Sequence, residues 1–170
     1  MIASRRAFLF VSAAGFMAGC SPPVGAEPQA ASDAREAAFA DSPFRKYTDA
    51  QWRGRLAPAA YNVLRKEGTE PAGSSPLETE HRAGVFHCAG CDLPLFRSDW
   101  KYESGSGWPS FWDVMKPNIG TKLDFLIGQA RTEYHCARCL GHQGHVFEDG
   151  PRPTGLRYCN NGVALRFVPA

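Results

Sequence analysis

The chain has no apolar run long enough to cross a bilayer as a helix, no internal repeat and almost no imbalance of charge. Its longest apolar stretch, Ala7 to Ala18, falls short of the ~20 residues that a ~30 Å hydrocarbon core demands. With 19 Lys+Arg against 17 Asp+Glu the formal charge is only +2, which leaves little to drive sequence-independent contact with phosphate and argues against nucleic acid as a partner. What the chain does have is turn-forming and ring-bearing residues. Its 17 glycines, 13 prolines and 12% aromatic residues suit a loop-rich, mainly β domain better than a helical bundle. At 170 residues, one domain with a real core is expected once the leader is set aside.

The leader occupies residues 1–19. Arg5 and Arg6 precede the short apolar run, the order of an export signal rather than of a membrane anchor. Ser4-Arg5-Arg6-Ala7-Phe8-Leu9 resembles a twin-arginine signal, which implies export after folding. Met17-Ala18-Gly19-Cys20 reads as a lipoprotein cleavage site, with lipid on Cys20 and a periplasmic, membrane-attached product. Such cleavage removes Arg5 and Arg6 and leaves 17 charges of each sign. The competing reading is cleavage after Val24-Gly25-Ala26, which gives a soluble exported protein. Residues 20–43, rich in Ala and Pro, read as a tether with at most a frayed helical turn, and residues 44–170 as the domain.

Thr48-Asp-Ala-Gln51 has the form of a capping box and predicts a short helix to about Arg55. Pro58 at a first helical position, followed by Tyr61, Leu64 and Arg65, predicts a second helix that stops at Gly68. From Val85 onward, short apolar runs broken by Gly, Pro and Asn predict strands. Cys88-Ala-Gly-Cys91 and Cys136-Ala-Arg-Cys139 are two paired-cysteine turns, and four thiolates so arranged match the tetrahedral demand of one structural Zn²⁺. A redox-active pair would need a helical pattern behind it, and neither turn has one; structural disulfides are the other reading open to an exported protein.

Cys159 is the one cysteine of the expected domain outside these pairs. It sits in Gly155-Leu-Arg-Tyr-Cys-Asn-Asn-Gly-Val-Ala-Leu-Arg-Phe167, whose alternation of apolar and polar residues places it in or beside a strand. As a thiol between Arg157 and Asn161 it is a candidate nucleophile; as an isolated cysteine it also fits a small core residue. In Gly105-Ser106-Gly107-Trp108-Pro-Ser-Phe111-Trp112, glycines allow a loop to bring an aromatic surface, Trp108 and Phe111, to a pocket edge, where it suits a methyl group or a polarizable sulfur; the same rings also fit a core plug. His142 and His145 share a Gly-rich turn, and since four sulfurs already fill a metal, acid-base or hydrogen-bonding duty is preferred over ligation. His81, His87 and His135 fit surface or satisfied structural roles.

Gly-Trp-Pro-Ser-Phe, Gly-His-x-Gly-His-Val-Phe, Asp149-Gly-Pro-x-Pro-Thr-Gly and Arg157-Tyr-Cys, in that order, make the chain resemble the B-type methionine sulfoxide reductases from about Tyr47 to Phe167. The resemblance implies two antiparallel sheets with short N-terminal helices, one structural Zn²⁺ on the four paired cysteines, and reduction of methionine-R-sulfoxide, free or in protein. It also implies roles: Cys159 as nucleophile, Trp108 receiving the substrate's methyl group, His142 and His145 orienting and protonating the sulfoxide oxygen, Asn161 and Arg157 completing the polar surroundings. The product on Cys159 is a sulfenic acid, which a thioredoxin-like protein or other thiol must reduce. A zinc-stabilised module that binds peptides or methylated ligands in an aromatic groove is the alternative of another class, and it has no need of a nucleophile at Cys159.

The chain departs from many members of that family at Ser106, where they carry a resolving cysteine, and more mildly at Gln143 and Asn160. With Cys20 on lipid and four thiols on zinc, no thiol of the chain is left to resolve Cys159. Oxidised protein, digested and analysed by mass spectrometry, is expected to show Cys159 as a sulfenic acid or as a mixed disulfide with added thiol; an intramolecular disulfide to Cys159 would overturn this.

Overall fold

A computed structural model describes residues 28–170, so the leader, Cys20 and the site at Ala26 lie outside the described residues. Three short helices come first: α1 (Gln29–Ala37), α2 (Asp49–Arg55) and α3 (Pro58–Lys66). Among the described residues no helix is long and apolar enough to cross a membrane. α2 starts as its sequence dictates. The Gln51 N–H donates to Thr48 Oγ1 at 3.3 Å and the Thr48 N–H to Gln51 Oε1 at 2.8 Å, which satisfies two donors that a helix start leaves open. α3 begins on Pro58 but stops one residue before the expected glycine: Glu67 takes the left-handed conformation (φ 56°), and the Gly68 N–H reaches back to Asn62 O at 3.1 Å.

Nine strands follow in two antiparallel sheets. β1 (Gly84–Cys88) lies between β2 (Pro94–Arg97) and β9 (Leu165–Pro169) in a three-stranded sheet. The six-stranded sheet has the order β3 (Lys101–Tyr102), β4 (Ser110–Phe111), β8 (Arg157–Asn160), β7 (His142–Phe147), β6 (Arg131–Cys136), β5 (Ile119–Asp124). Phe86, Phe96, Phe111, Tyr134 and Tyr158 pack between them, with Phe96 and Phe111 stacked at 4.1 Å and Tyr134 edge-on to Tyr158 at 5.5 Å. The single alternating run read from Leu156 to Phe167 is thus two strands in two sheets. A tight turn at 161–164 separates them.

The four paired cysteines meet where the sheets join: Cys88 ends β1 of one sheet and Cys136 ends β6 of the other. All four are buried, and their sulfurs lie within 4.8 Å of one another, Cys88 to Cys139 at 3.6 Å and Cys91 to Cys136 at 3.4 Å. A tetrahedron with metal–sulfur bonds of about 2.3 Å has edges of about 3.8 Å, so the set fits one structural Zn²⁺. Arg45, Arg55, Arg65 and Arg138 donate to carbonyls of the two turns, for instance Arg45 Nη2 to Ala137 O at 2.6 Å and Arg65 Nη1 to Cys139 O at 2.9 Å. Their charge offsets the double negative charge of a divalent ion held by four thiolates.

Part of the stretch read as a tether is built into the domain. α1 covers the open edge of the six-stranded sheet at β5, where unpaired backbone groups need partners. Ser32 supplies one: its buried Oγ accepts from the Thr121 N–H at 2.8 Å and donates to Glu36 at 3.1 Å. Arg35 Nε donates to Ile119 O at 2.8 Å, and Glu36 meets the His135 ring at 2.9 Å. The sequence reading missed this because α1 offers no sustained apolar stripe; polar groups hold it. Ser32→Ala strands the Thr121 N–H, a loss of about 1–3 kcal/mol. The expected outcome is a melting temperature lower by several degrees in calorimetry, with faster hydrogen exchange along β5.

Candidate active site

Cys159 lies in β8 with Ser110 of β4 opposite on one side and His145 of β7 on the other. β7 and β8 come this close because residue 144 is glycine: a Cβ there would sit 1.9 Å from Cys159 O. The half-buried thiol opens on a cleft of about 120 Å³ whose walls include Trp108, Arg131, His145, Phe147 and Asn161.

Trp108 arrives on a loop that Gly107 makes possible. Its φ is +86°, and a Cβ would meet Ala72 at 2.9 Å. The indole N–H donates to Glu70 O at 3.1 Å, which fixes the ring at the cleft. Glu70 holds more than the indole. Its N–H donates to Asn161 Oδ1 at 2.9 Å, while its buried carboxylate accepts from the N–H groups of Gly162 at 2.5 Å and Val163 at 3.0 Å. Asn161 Nδ2 in turn donates to Gln143 O at 2.9 Å. Asn161 is therefore a wall of the cleft whose polar groups are engaged with the scaffold.

Two carboxylates orient the histidines. Burial by itself would raise the Asp124 carboxyl, but hydrogen bonds from the Leu126 N–H, His145 and Arg131 outweigh it and hold the group at about 2. An ionised carboxylate only accepts, so His145 Nε2, at 2.7 Å from Asp124 Oδ2, carries a proton and leaves Nδ1 as an acceptor in the neutral ring. Burial, foremost, and the charge of Arg131 keep His145 below its ordinary value against the pull of Asp124, so the neutral ring prevails near pH 7. Glu133 repeats the pattern: hydrogen bonds from His135 and His142 overcome burial and hold it at about 2, and it accepts from His142 Nδ1 at 2.8 Å. His142 stands behind His145, ring centroids 5.4 Å apart. Among the described residues its buried Nε2 has no hydrogen-bond partner.

The thiol itself is held above its ordinary value. Arg157 does act to lower the Cys159 pKa, and so does a hydrogen bond with Ser106, but burial is the larger effect and the net shift is upward. The reason is visible: Arg157 is already spent on Asp149 through two bonds of 2.7 and 2.8 Å, its guanidinium 4.4 Å over the Phe147 ring. Ser106 heads a chain of hydroxyls, Ser106 to Ser104 at 2.8 Å and Ser104 to Ser110 at 2.7 Å.

Phe111, expected at the substrate surface, is in the core. Successive residues of a strand face opposite sides, so with Ser110 opposite Cys159 the phenyl ring lies on the side of Tyr158 and stacks on Phe96. Gln143 lies away from the cleft: its fully buried amide points to the four-cysteine cluster, Nε2 to Cys88 Sγ at 3.4 Å. Asn160 is held by Tyr134, whose hydroxyl donates to its Oδ1 at 2.7 Å.

The SelR domain family matches residues 56–169 of the chain. The chain is 48% identical over 129 residues to the peptide methionine sulfoxide reductase MsrB of Agrobacterium fabrum, covering 75% of this chain and 96% of that protein. The MsrB of Leptospira interrogans is 50% identical over 121 residues (71% of this chain, 92% of the relative), and that of Thiobacillus denitrificans 48% over 123 (72% and 93%). The chain belongs to the B-type methionine sulfoxide reductases. Membership makes it an oxidoreductase that reduces methionine-R-sulfoxide.

Sequence reading of this reductase did not find Glu70, Asp124, Arg131 or Glu133. Glu70 lies 91 residues from its partner Asn161, and Asp124, Arg131 and Glu133 pair between strands of one sheet over 7 to 21 residues, spacings that no helix or strand periodicity marks. Arg157→Met should move the midpoint of Cys159 alkylation by iodoacetamide upward and slow the reaction at pH 8. An unchanged midpoint would show that Asp149 cancels the guanidinium completely.

Proposed function

We propose that Cys159 attacks the sulfoxide sulfur of a methionine-R-sulfoxide held in this cleft. One observation carries the assignment: among the described residues Cys159 is the only thiol outside the four-sulfur cluster, and it opens on a cleft that Trp108 walls. Attack forms an S–S bond to the sulfoxide sulfur while the oxygen takes the thiol proton and leaves as hydroxide; hydroxide then bonds to Cys159 Sγ as the S–S bond breaks and methionine leaves, so thiol plus sulfoxide become sulfenic acid plus thioether with atoms balanced. The indole face of Trp108 suits the methyl group. Arg157 supplies positive field at the sulfur, and the His142–His145 pair handles the proton that the oxygen takes up. Asn161 keeps the turn after the nucleophile rigid. Bound zinc would hold the two sheets in register and take no part in the chemistry, since four sulfurs fill its coordination.

Two equivalents of an external thiol, or one thioredoxin-like dithiol protein, then return the sulfenic acid to thiol with release of water and formation of one disulfide. Ser106, within hydrogen-bonding reach of Cys159, cannot take the part of a resolving thiol. The leader supports a periplasmic setting, with Cys20 lipidated after cleavage and residues 21–28 as the remaining span between anchor and α1.

Separated R and S epimers of N-acetyl-methionine sulfoxide, incubated with the protein and dithiothreitol, test the reading. Turnover is expected for R alone, and Cys159→Ser should abolish it while one zinc per chain and the circular dichroism spectrum persist. Activity surviving in Cys159→Ser would sink the assignment and favour a binding module.

A further inference from the structure

The hairpin between β5 and β6 ends in three consecutive large apolar residues in the open: Phe125 is 63% exposed, Leu126 75% and Ile127 64%. Turn tips normally carry Gly, Asn, Asp or Ser, and an exposed apolar cluster on a small protein marks contact with something. The turn is built, not loose. Gly128 N–H donates to Phe125 O at 3.0 Å, and Asp124 Oδ1 accepts from the Leu126 N–H at 2.8 Å. The second oxygen of that same carboxylate binds His145 and Arg131, both in the wall of the cleft. Tip and cleft are thus joined through one side chain.

We propose that Phe125, Leu126 and Ile127 form a docking tip for apolar residues that flank an oxidised methionine in a polypeptide substrate; this rests on the cleft being the sulfoxide site. Methionines sit mostly in apolar surroundings, and conversion to sulfoxide loosens their packing, so a damaged segment presents apolar neighbours together with the polar sulfoxide. The register fixes the reach. Cys159, His145, Glu133 and Lys122 lie in one row across four adjacent strands, about 14 Å at ~4.8 Å per step, and the tip begins three residues beyond Lys122, at Phe125. An extended peptide with its sulfoxide in the cleft would place a residue roughly five positions away over the tip.

Other occupants fit less well. Three side chains, with half-exposed Leu123 beside them, offer far less than the ~800 Å² per partner of a stable dimer. The flanking cations are already paired, Lys122 with Glu67 and Glu133 and Arg131 with Asp124, so the tip lacks the free basic rim that holds apolar loops on anionic lipid.

The test replaces all three tip residues by serine, F125S/L126S/I127S, in the full chain, with dithiothreitol as reductant throughout so that docking of a reductant protein cannot contribute. Three substrates are compared: N-acetyl-methionine-R-sulfoxide, a peptide with leucines five positions to either side of the sulfoxide, and the same peptide with serines there. Expected is a drop of about tenfold in kcat/KM for the leucine peptide, carried by KM, with the other two substrates unchanged within twofold. Equal losses on all three, or none on the leucine peptide, would overturn the proposal, as would a tip variant that alters only sedimentation or binding to anionic vesicles. Anisotropy of the labelled leucine peptide needs no turnover. If the small sulfoxide proved no substrate yet the peptide bound several-fold tighter to the unaltered chain than to the variant, the tip would stand and the cleft assignment would fall.

Discussion

Four sulfurs at the junction of two sheets set the frame within which everything else is placed. The chain changes sheets directly after the cleft: Cys159 belongs to the six-stranded sheet, while the strand that continues the chain after it, β9, belongs to the other. The cysteine turns lock β1 to β6, and through them the turn at 161–164 that passes from β8 to β9. The coupling is short. Gln143 places its amide on Cys88 Sγ and its carbonyl on both the backbone N–H and the side-chain amide of Asn161, two residues beyond the nucleophile. A divalent ion held by four thiolates, with guanidinium groups on the surrounding carbonyls, is a rigid joint by chemistry, and the position of the thiol inherits that rigidity.

Within the frame, buried carboxylates do the local positioning. Glu70 ties the indole, Asn161 and the turn at 162–163 into one unit; Asp124 and Glu133 fix the tautomers of two histidines. Each is taken from water and each is compensated, Asp124 and Glu133 so fully that they stay ionised down to about pH 2. The cost of burying such groups is met by hydrogen bonds and, for Glu133, by the charges of Lys122 and His135 at 3.5 Å, and the hydrogen bonds give them directional control over an imidazole or an indole.

Legibility in the sequence tracked the range of the interaction. The capping box at Thr48, Pro58 at a helix start and the two Cys-x-x-Cys turns are local signals, and the structure has a helix, a helix and a cluster where they stand. Cys159 and Trp108 could be singled out because a thiol and a Gly-flanked indole are chemically distinctive at any distance. Phe111 was misplaced because an aromatic residue next to a strand carries no mark of which face it will take; that depends on register with β8. α1 was missed for the opposite reason, since its docking relies on Ser32 and Arg35 finding an open strand edge 89 and 84 residues away in sequence and on Glu36 finding His135, 99 residues away.

The raised pKa of Cys159 is best understood together with the neutral state of His145. Were the thiolate preformed, the sulfoxide oxygen would need a proton from elsewhere, and a histidine held below its ordinary value is a poor source of one at neutral pH. A protonated thiol removes the difficulty, because thiol and sulfoxide together already contain every atom of sulfenic acid and thioether. His145, the strand neighbour of Cys159, with Nε2–H committed to Asp124 and Nδ1 free to accept, has the tautomer needed to take a proton from one group and return it to another. Burial that hinders ionisation of the free protein thus also shields the thiol from casual oxidation, and on the proposed mechanism leaves activation to the moment when a polarised S–O bond enters the cleft.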